Sequence, residues 1–448
     1  MSYHSVASDN PAAAHCPLER IVRRVAPASL ILASLALLAG CGHSDNAAIR
    51  LFNVSQDYTS LDIYVGSSTT TANPGAVPTG TLSSYAGISP GTDTLYFTLD
   101  PNTQTNALLS ESETFTASEH RTYVAYGNTG QFAEYEIDEN QSAPSGGNAS
   151  IEVLNTAGDA GAVDVYLTSS GTSLASVSPS FGNVAPGKAT AFSSIAAGTY
   201  ELSVTGTGTD SDVRLQVPSI TLDSQEVATI IVTESAGGYL VNAYILPQQG
   251  TLVPELNPNA RVRAAAGLAG GASVSATVGS TALLSNAPAT SIGTYQLVSV
   301  GTAPVAVTVG GTAVSSPSQP LAAGQDYTLL IYQDASGNTQ ENWLVDVNRL
   351  PVSGDASVRL VHAISGFTDA ISLSVNYVPV ATDVSQGDAS GYDTGIAATT
   401  TGALTVTDTP TSQQLFSQSP VSFASQGVYT VFMFGSASSP SGVLNQDR

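Results

Sequence analysis

Apolar and polar residues alternate in short runs along most of the chain, and one such run returns four times. It reads Ala47-Ala48-Ile49-Arg50-Leu51-Phe52-Asn53, then Ala149-Ser150-Ile151-Glu152-Val153-Leu154-Asn155, then Ala260-Arg261-Val262-Arg263-Ala264, then Ala356-Ser357-Val358-Arg359-Leu360-Val361-His362. A period of two is that of a strand with one face buried. The copies begin about a hundred residues apart, which marks a repeated domain. Arg50, Glu152, Arg263 and Arg359 share one phase, and the alternation predicts that they face solvent.

Each copy continues in the same way. A second alternating run follows, Leu61-Asp62-Ile63-Tyr64-Val65 in copy one and Val163-Asp164-Val165-Tyr166-Leu167 in copy two. Copies three and four have Val274 to Val278 and Ile371 to Val375, without the Asp and Tyr. A Gly-bearing turn then leads to a further strand, as at Ala197-Gly198-Thr199-Tyr200. A hairpin closes the copy: Tyr123 to Tyr126 turns over Gly127-Asn128-Thr129-Gly130, and Ala228 to Val232 turns through Gly237-Gly238. In copy four only Val443-Leu444 is apolar enough to return, so its final strand is expected to be incomplete.

No window carries the 3.6-residue period with caps that a helix needs. Short strands rich in Thr, Ser, Val and Tyr, broken by Gly, Pro and Asn, predict an all-β chain of tandem antiparallel immunoglobulin-like β-sandwich domains. The repeats are placed at 47–140, 149–247, 260–350 and 356–448, each large enough to bury its own core. Linkers are expected at Asn140 to Asn148, Pro247 to Asn259 and Pro351 to Asp355, the second stiffened by Pro247, Pro254 and Pro258.

The segment before the repeats reads as targeting rather than fold. Arg20, Arg23 and Arg24 precede an apolar stretch from Val25 to Leu38, which ends in Leu38-Ala39-Gly40-Cys41. The stretch is shorter than the roughly 20 residues of a spanning helix. The pattern resembles a bacterial lipoprotein signal. That resemblance implies removal of residues 1–40, a diacylglyceryl thioether on Cys41 and acylation of its amine, with enough acyl chains for stable membrane anchoring. Gly42 rather than Asp follows the Cys, which by analogy with enteric bacteria implies the outer membrane, with the periplasmic or surface face left open.

The repeat motifs also resemble a family. The Ala-x-Val-Arg-Leu-Val-His run at 356–362, the Val-Asp-Val-Tyr run at 163–166, the turn at 197–200 and Ala323-Gly324-Gln325-Asp326-Tyr327-Thr328 together resemble the bacterial domain-of-unknown-function 4397 family. Copy three departs most in its first strand, where Ala264-Ala265-Ala266 replaces bulkier residues. The resemblance implies immunoglobulin-like sandwiches outside the cytoplasm. The family supplies no catalytic residue to carry over.

Charge and residue inventory narrow the chemistry. The 448 residues carry 12 Lys+Arg against 35 Asp+Glu, a net charge of -23. That argues against a nucleic-acid partner, since phosphate binding needs clustered cations. Of the two Cys, Cys16 lies in the signal and Cys41 is the lipid site, so no disulfide or Cys-held metal is expected. Gly87-Ile88-Ser89-Pro90-Gly91 spells a nucleophile elbow, but a strand rather than a helix is expected after it. His43, His120 and His362 are too scattered for a triad, and His362 sits where Asn53 and Asn155 sit, a structural polar slot. Glu134, Glu136, Asp138, Glu139 and Asp210-Ser211-Asp212 supply oxygen ligands of the kind calcium takes, without its loop frame, and the alternation of Glu134 and Glu136 also fits a wet strand face. Tyr64, Tyr126, Tyr135, Tyr166, Tyr239 and Tyr244 are candidate sugar-stacking rings or ordinary core, and the lone Trp343 is expected in or near the core of copy three.

These readings converge on a non-catalytic, lipid-anchored envelope protein without cofactor, acting as a tether or as a module recognising protein or carbohydrate. The alternative is a calcium-stiffened adhesin or a binding subunit of an envelope polysaccharide system. A hydrolase relying on Ser89 or His362 ranks behind both.

Overall fold

The computed structural model describes residues 45–66, 73–101 and 106–448. Cys41 and His43 lie outside the described residues, as does the segment assigned to the signal. The described chain is built of strands with short 3-10 turns, and residues from Ser44 to Arg448 form one compact unit.

Each repeat makes two facing sheets. In repeat one the opening strand Ala47–Asn53 lies beside the inner hairpin strand His120–Tyr126, which pairs with the outer strand Ala133–Asp138. The second sheet orders Val77–Pro78, Ser60–Val65, Gly91–Leu99 and Leu109–Phe115. The other repeats follow the same plan, with opening strands Asn148–Asn155, Asn259–Gly267 and Asp355–His362, and repeat three adds a two-stranded sheet of Gly301–Ala303 and Gln319–Leu321. The sheets are antiparallel except at one place: each opening strand runs parallel to the inner hairpin strand. The alternation cannot reveal that direction, because a strand shows the same period either way.

One phase of each opening strand, the one without the charged residue, fills its own repeat's core. Ile49 and Leu51 join Leu61, Phe97 and Phe115; Ile151 and Val153 join Val165, Val204 and Ile230. Val262 and Ala264 do the same in repeat three, Val358 and Leu360 in repeat four.

The other phase is where sequence and structure part. Arg50, Glu152, Arg263 and Arg359 are only 4, 7, 2 and 1% exposed. Their face is covered by another repeat. Phe52, Val124 and Ile137 of repeat one pack on Leu154, Ile231 and Leu246 of repeat two. Ala265, Leu330 and Leu344 of repeat three pack on Val361, Phe432 and Phe434 of repeat four. The chain therefore folds back in pairs. At Gly267 a Cβ would lie 2.6 Å from Phe434 and 2.8 Å from the Ala363 carbonyl, so this seam brings backbone against backbone.

Two smaller expectations are also corrected. Repeat four has a full outer strand, Ser439–Gln446, paired along Val428–Ser436. Its Ser, Asn and Gln positions are ladder positions whose backbone bonds need no apolar side chain. The linker after Pro247 contributes Val253–Glu255 as an extra strand on the sheet of repeat two.

Candidate functional site

The buried charges follow one design. In every repeat the polar residue of the opening strand meets a Thr on the parallel inner strand. Nε of Arg50, Arg263 and Arg359 donates to Thr122, Thr328 and Thr430 at 2.8, 2.9 and 3.0 Å, and Thr229 donates to Glu152 at 2.8 Å. Two residues beyond the partner of that Thr on the outer strand stand Glu139, Gln248, Asp346 and Asp447. In repeat one the acid closes on its own arginine, Glu139 to Arg50 at 2.6 Å. Across the seam between repeats three and four the acids are exchanged. Arg359 pairs with Asp346 and Arg263 with Asp447, each at 2.5 Å.

Aromatic rings line these arginines: Tyr85 lies 4.5 Å from the Arg50 guanidinium, Tyr295 4.5 Å from Arg263 and Tyr392 4.6 Å from Arg359. Burial pushes the Asp346 carboxyl up, but Arg359, Arg263, Thr328 and Tyr295 together hold it below the ordinary carboxylate range. Repeat two inverts the pattern, with Glu152 in the arginine position and Gln248 in the acid position. Burial lifts the Glu152 carboxyl above its usual range, Thr229 opposes the rise and Asp138 adds to it.

A second polar cluster joins the pairs. Arg448 donates to the carbonyls of Gly238 and Asn348 at 2.6 and 3.0 Å, and also to that of Asp159. Arg349 pairs with Asp57 at 2.6 Å, and Arg261 grips Asp326 with two nitrogens. Tyr239 lies 3.9 Å from the Arg261 guanidinium and 5.3 Å from that of Arg448. Asp159 and Glu234 sit beside one another here, and burial lifts both carboxyls despite nearby arginines. The Gly237-Gly238 turn is closed in: Cβ atoms there would lie 2.7 Å from Asp326 and 2.5 Å from the Arg349 amide.

The residues singled out in the sequence distribute as follows. Ser89 is exposed between Ala86–Ile88 and Gly91–Leu99, so strands flank it on both sides. His120 opens the inner strand of repeat one, edge-on to Tyr85 at 5.1 Å. His362 is buried and bonded within its own repeat, Nε2 to the Asp369 carbonyl at 3.2 Å and Nδ1 accepting the Ile364 amide at 3.3 Å. Asn53 and Asn155 do the same work, each bonding two carbonyls through Nδ2 and accepting an amide at Oδ1. Burial drives the His362 imidazole down to about 4, so it is neutral at ordinary pH.

Three of the six acids offered to calcium are held in ion pairs. Glu139 belongs to Arg50, Glu136 to Arg121 at 3.0 Å and Asp212 to Arg214 at 2.7 Å. Glu134 is half-buried, and burial, helped by Glu111, Glu136 and Glu113, pushes its carboxyl to about 8. Among the described residues no group of three or more His, Cys, Asp or Glu is placed to share a metal ion.

The six candidate stacking tyrosines are committed to packing. Tyr64 and Tyr166 are buried. Tyr126, Tyr135 and Tyr244 flank the seam of repeats one and two, and Tyr239 lies among arginines. The ring that does stand in solvent is Tyr377, 91% exposed on the hairpin between Ile371–Val375 and Val378–Val384. Trp343 is half-buried against the core of repeat three and lines an open cleft of about 400 Å³ toward repeat four. Sequence periodicity could not find that cleft, because it is made by two repeats together.

The family model described as Domain of unknown function (DUF4397) matches residues 47–166 and 260–368, just over half of the chain. The chain belongs to the DUF4397 family. The second match in this DUF4397 protein runs through copy three, so its alanine-rich first strand does not remove it from the family pattern. No curated protein matches the sequence. Among solved structures, one reported for alpha-glucan recognition by family 41 carbohydrate-binding modules from streptococcal virulence factors covers 41% of this DUF4397 chain and 93% of its own, at 10% identity and a TM-score of 0.17. A likeness of that size carries no argument about ligand.

Proposed function

We propose that this chain is a non-catalytic binding protein of the bacterial cell envelope, anchored through lipid on Cys41 to the outer membrane. The observation that carries the reading is the use of the buried charges. Arg50–Glu139 stabilises the face of repeat one that meets repeat two, while Arg263–Asp447 and Arg359–Asp346 bridge repeats three and four. Repeats joined through such faces make a stiff body rather than a flexible string, and stiff sandwiches are suited to presenting a surface to a partner. Stiffness here comes from arginine–carboxylate pairs and apolar seams, so the calcium-stiffened version of the reading has no separate support.

The test is metabolic labelling with tritiated palmitate in bacteria making the full chain, beside the Cys41→Ser variant. Label on the native chain alone supports the anchor, and absence of label removes it. Proteinase K on intact and lysed cells then separates two roles. Digestion in intact cells fits adhesion or glycan recognition at the surface. Protection until lysis fits a periplasmic subunit of an envelope polysaccharide system.

A further inference from the structure

In repeat two the outer strand Val241–Pro247 carries a further strand on its free edge, Val253–Glu255, supplied by the linker. The same edge in repeat one, on Ala133–Asp138, is open. The phase of the two ladders is the same. Gln248 N–H donates to the Val227 carbonyl at 2.8 Å, and Glu139 N–H to the His120 carbonyl at 3.0 Å. Bonded and non-bonded pairs alternate in an antiparallel ladder. Ala243 and Ile245 therefore turn their backbone groups outward, and they pair with Glu255 and Val253. Glu134 and Glu136 hold the same positions, counted from the residue opposite the buried Thr. Among the described residues no hydrogen bond reaches their outward backbone groups. We infer that this edge of repeat one binds an extended basic segment of a partner protein, as an added strand with Lys or Arg at alternate positions. The inference rests on the binding role argued above and names the class of partner.

The charge of the partner follows from the side chains at the edge. Glu134 and Glu136 lie opposite Ala125 and Tyr123, on the side of the repeat's core. Glu111 lies opposite the core residue Leu95 in the facing sheet, and Glu113 shares its phase. The four carboxyls thus border the open side between the two sheets. Arg121 reaches Glu113 and Glu136, each at 3.0 Å. Glu111 Oε1 and Glu134 Oε2 are closed to water and have no hydrogen-bond partner among the described residues. The Tyr123 hydroxyl, on a residue 1% exposed, also has none. Unpaired buried acceptors are costly, so the edge gains when donors arrive. In an added strand the residues opposite Glu134 and Glu136 project to the same side, with Cβ atoms about 4.5–5.5 Å from theirs. Alternate Lys or Arg residues there supply the donors and the charge together.

The same acids discriminate against other occupants. Inward-pointing charges on an edge strand discourage pairing with a like edge. A second copy would bring the same four glutamates, on a chain of net charge -23. The corresponding edges of the later repeats differ. In repeat three the Trp343 amide donates to Asn342 Oδ1 at 2.9 Å, and the Val345 carbonyl accepts from Arg359 at 3.3 Å. In repeat four the counterparts of Glu134 and Glu136 are Gly442 and Leu444, which carry no charge.

The test mixes the full chain with a fluorescent peptide of alternating Lys and Thr and reads anisotropy at rising salt. Saturable binding that weakens with salt is expected, with slowed hydrogen exchange at 133–137. A peptide of the same composition with its Lys residues grouped at one end should bind about tenfold more weakly, and a peptide of alternating Glu and Thr weaker still. Methylating every second peptide nitrogen, on the side that meets the edge, should remove the slowed exchange. The double variant Glu111→Gln with Glu134→Gln keeps the strand and loses two charges, and should weaken binding about tenfold. No saturable binding of the alternating basic peptide overturns the proposal. So does binding without slowed exchange at 133–137, affinity unchanged in the double variant, or sedimentation showing the edge taken by a second copy. Palmitate labelling and protease access are independent of all these outcomes.

Discussion

Arg359 and Asp346 meet at 2.5 Å across the seam of repeats three and four, with both side chains closed to water. The same aspartate accepts from Thr328 and Tyr295, each at 2.5 Å. Removing one member of such a pair leaves a buried uncompensated charge. Asp346→Ala is therefore expected to lose on the order of 3–5 kcal/mol in urea unfolding. Asp346→Leu combined with Arg359→Met should recover much of that loss, since the pair's own net contribution is small once both charges are gone. A single-variant loss below about 1 kcal/mol would show that water reaches the seam.

The hairpin turn of repeat two gives a second test. Gly238 has a φ of +87°, and a Cβ there would lie 2.5 Å from the Arg349 amide. Gly238→Ala is expected to destabilise by about 1–3 kcal/mol. Hydrogen exchange should quicken at 347–351 and at 157–161, while the core strands of each repeat stay protected. Uniform quickening through repeat two would mean that the turn serves its own hairpin rather than the junction.

The polar slot at the end of the opening strand predicts an unequal pair of substitutions. His362→Asn should be tolerated, because Asn53 and Asn155 fill the same slot, each accepting the amide two residues on as His362 does, whereas His362→Ala should lose about 1–3 kcal/mol through unpaired buried groups. The native histidine also makes stability pH-dependent. Its folded pKa of about 4 lies below the ordinary 6.5, so the unfolded chain takes up the proton first. Stability from this residue is whole above about 6.5 and is lost as pH falls toward 4. The Asn variant should lack that acid loss, which unfolding curves at pH 7 and pH 5 would read directly.

Glu134 predicts the opposite slope. Its folded pKa of about 8 lies above the ordinary 4.5, so the native state holds a proton that the unfolded chain has released. Stability therefore falls as pH rises from about 4.5 to 8. Glu134→Gln should be more stable than the native chain at pH 8, on the order of 1–2 kcal/mol after allowance for partial exposure. At pH 4 the two should match. Equal curves at pH 8 would place Glu134 in water.

Much of the fold was legible because β-structure writes itself as a period of two. Ile49, Leu51, Ile151, Val153, Val262, Val358 and Leu360 all lie in the cores that the alternation assigns them. The error at Arg50, Glu152, Arg263 and Arg359 has a definite cause. A polar residue on a strand means a polar neighbour, and water is only one such neighbour; here it is a Thr and, for the three arginines, a carboxylate. A sign of the second buried face was present: Phe52, Leu154, Ala265 and Val361 are apolar in the supposedly wet phase, which marks a strand covered on both sides. The Trp343 cleft had no such sign, since neither repeat's sequence encodes the position of the other.

The bond from Arg263 to Asp447 joins positions 184 residues apart. A chain emerging from its N-terminus must hold the Arg263 guanidinium in water until nearly all of repeat four has followed. Each repeat has a shorter version of this delay, because its opening strand waits for an inner hairpin strand some seventy residues on, as Arg50 waits for Thr122. Such distant pairings slow the search for the native state. Assembly should thus be late and cooperative: a nascent or truncated chain would expose the apolar faces around Ala265 and Leu330, and so would depend on being kept apart from its own copies until the last hairpin arrives.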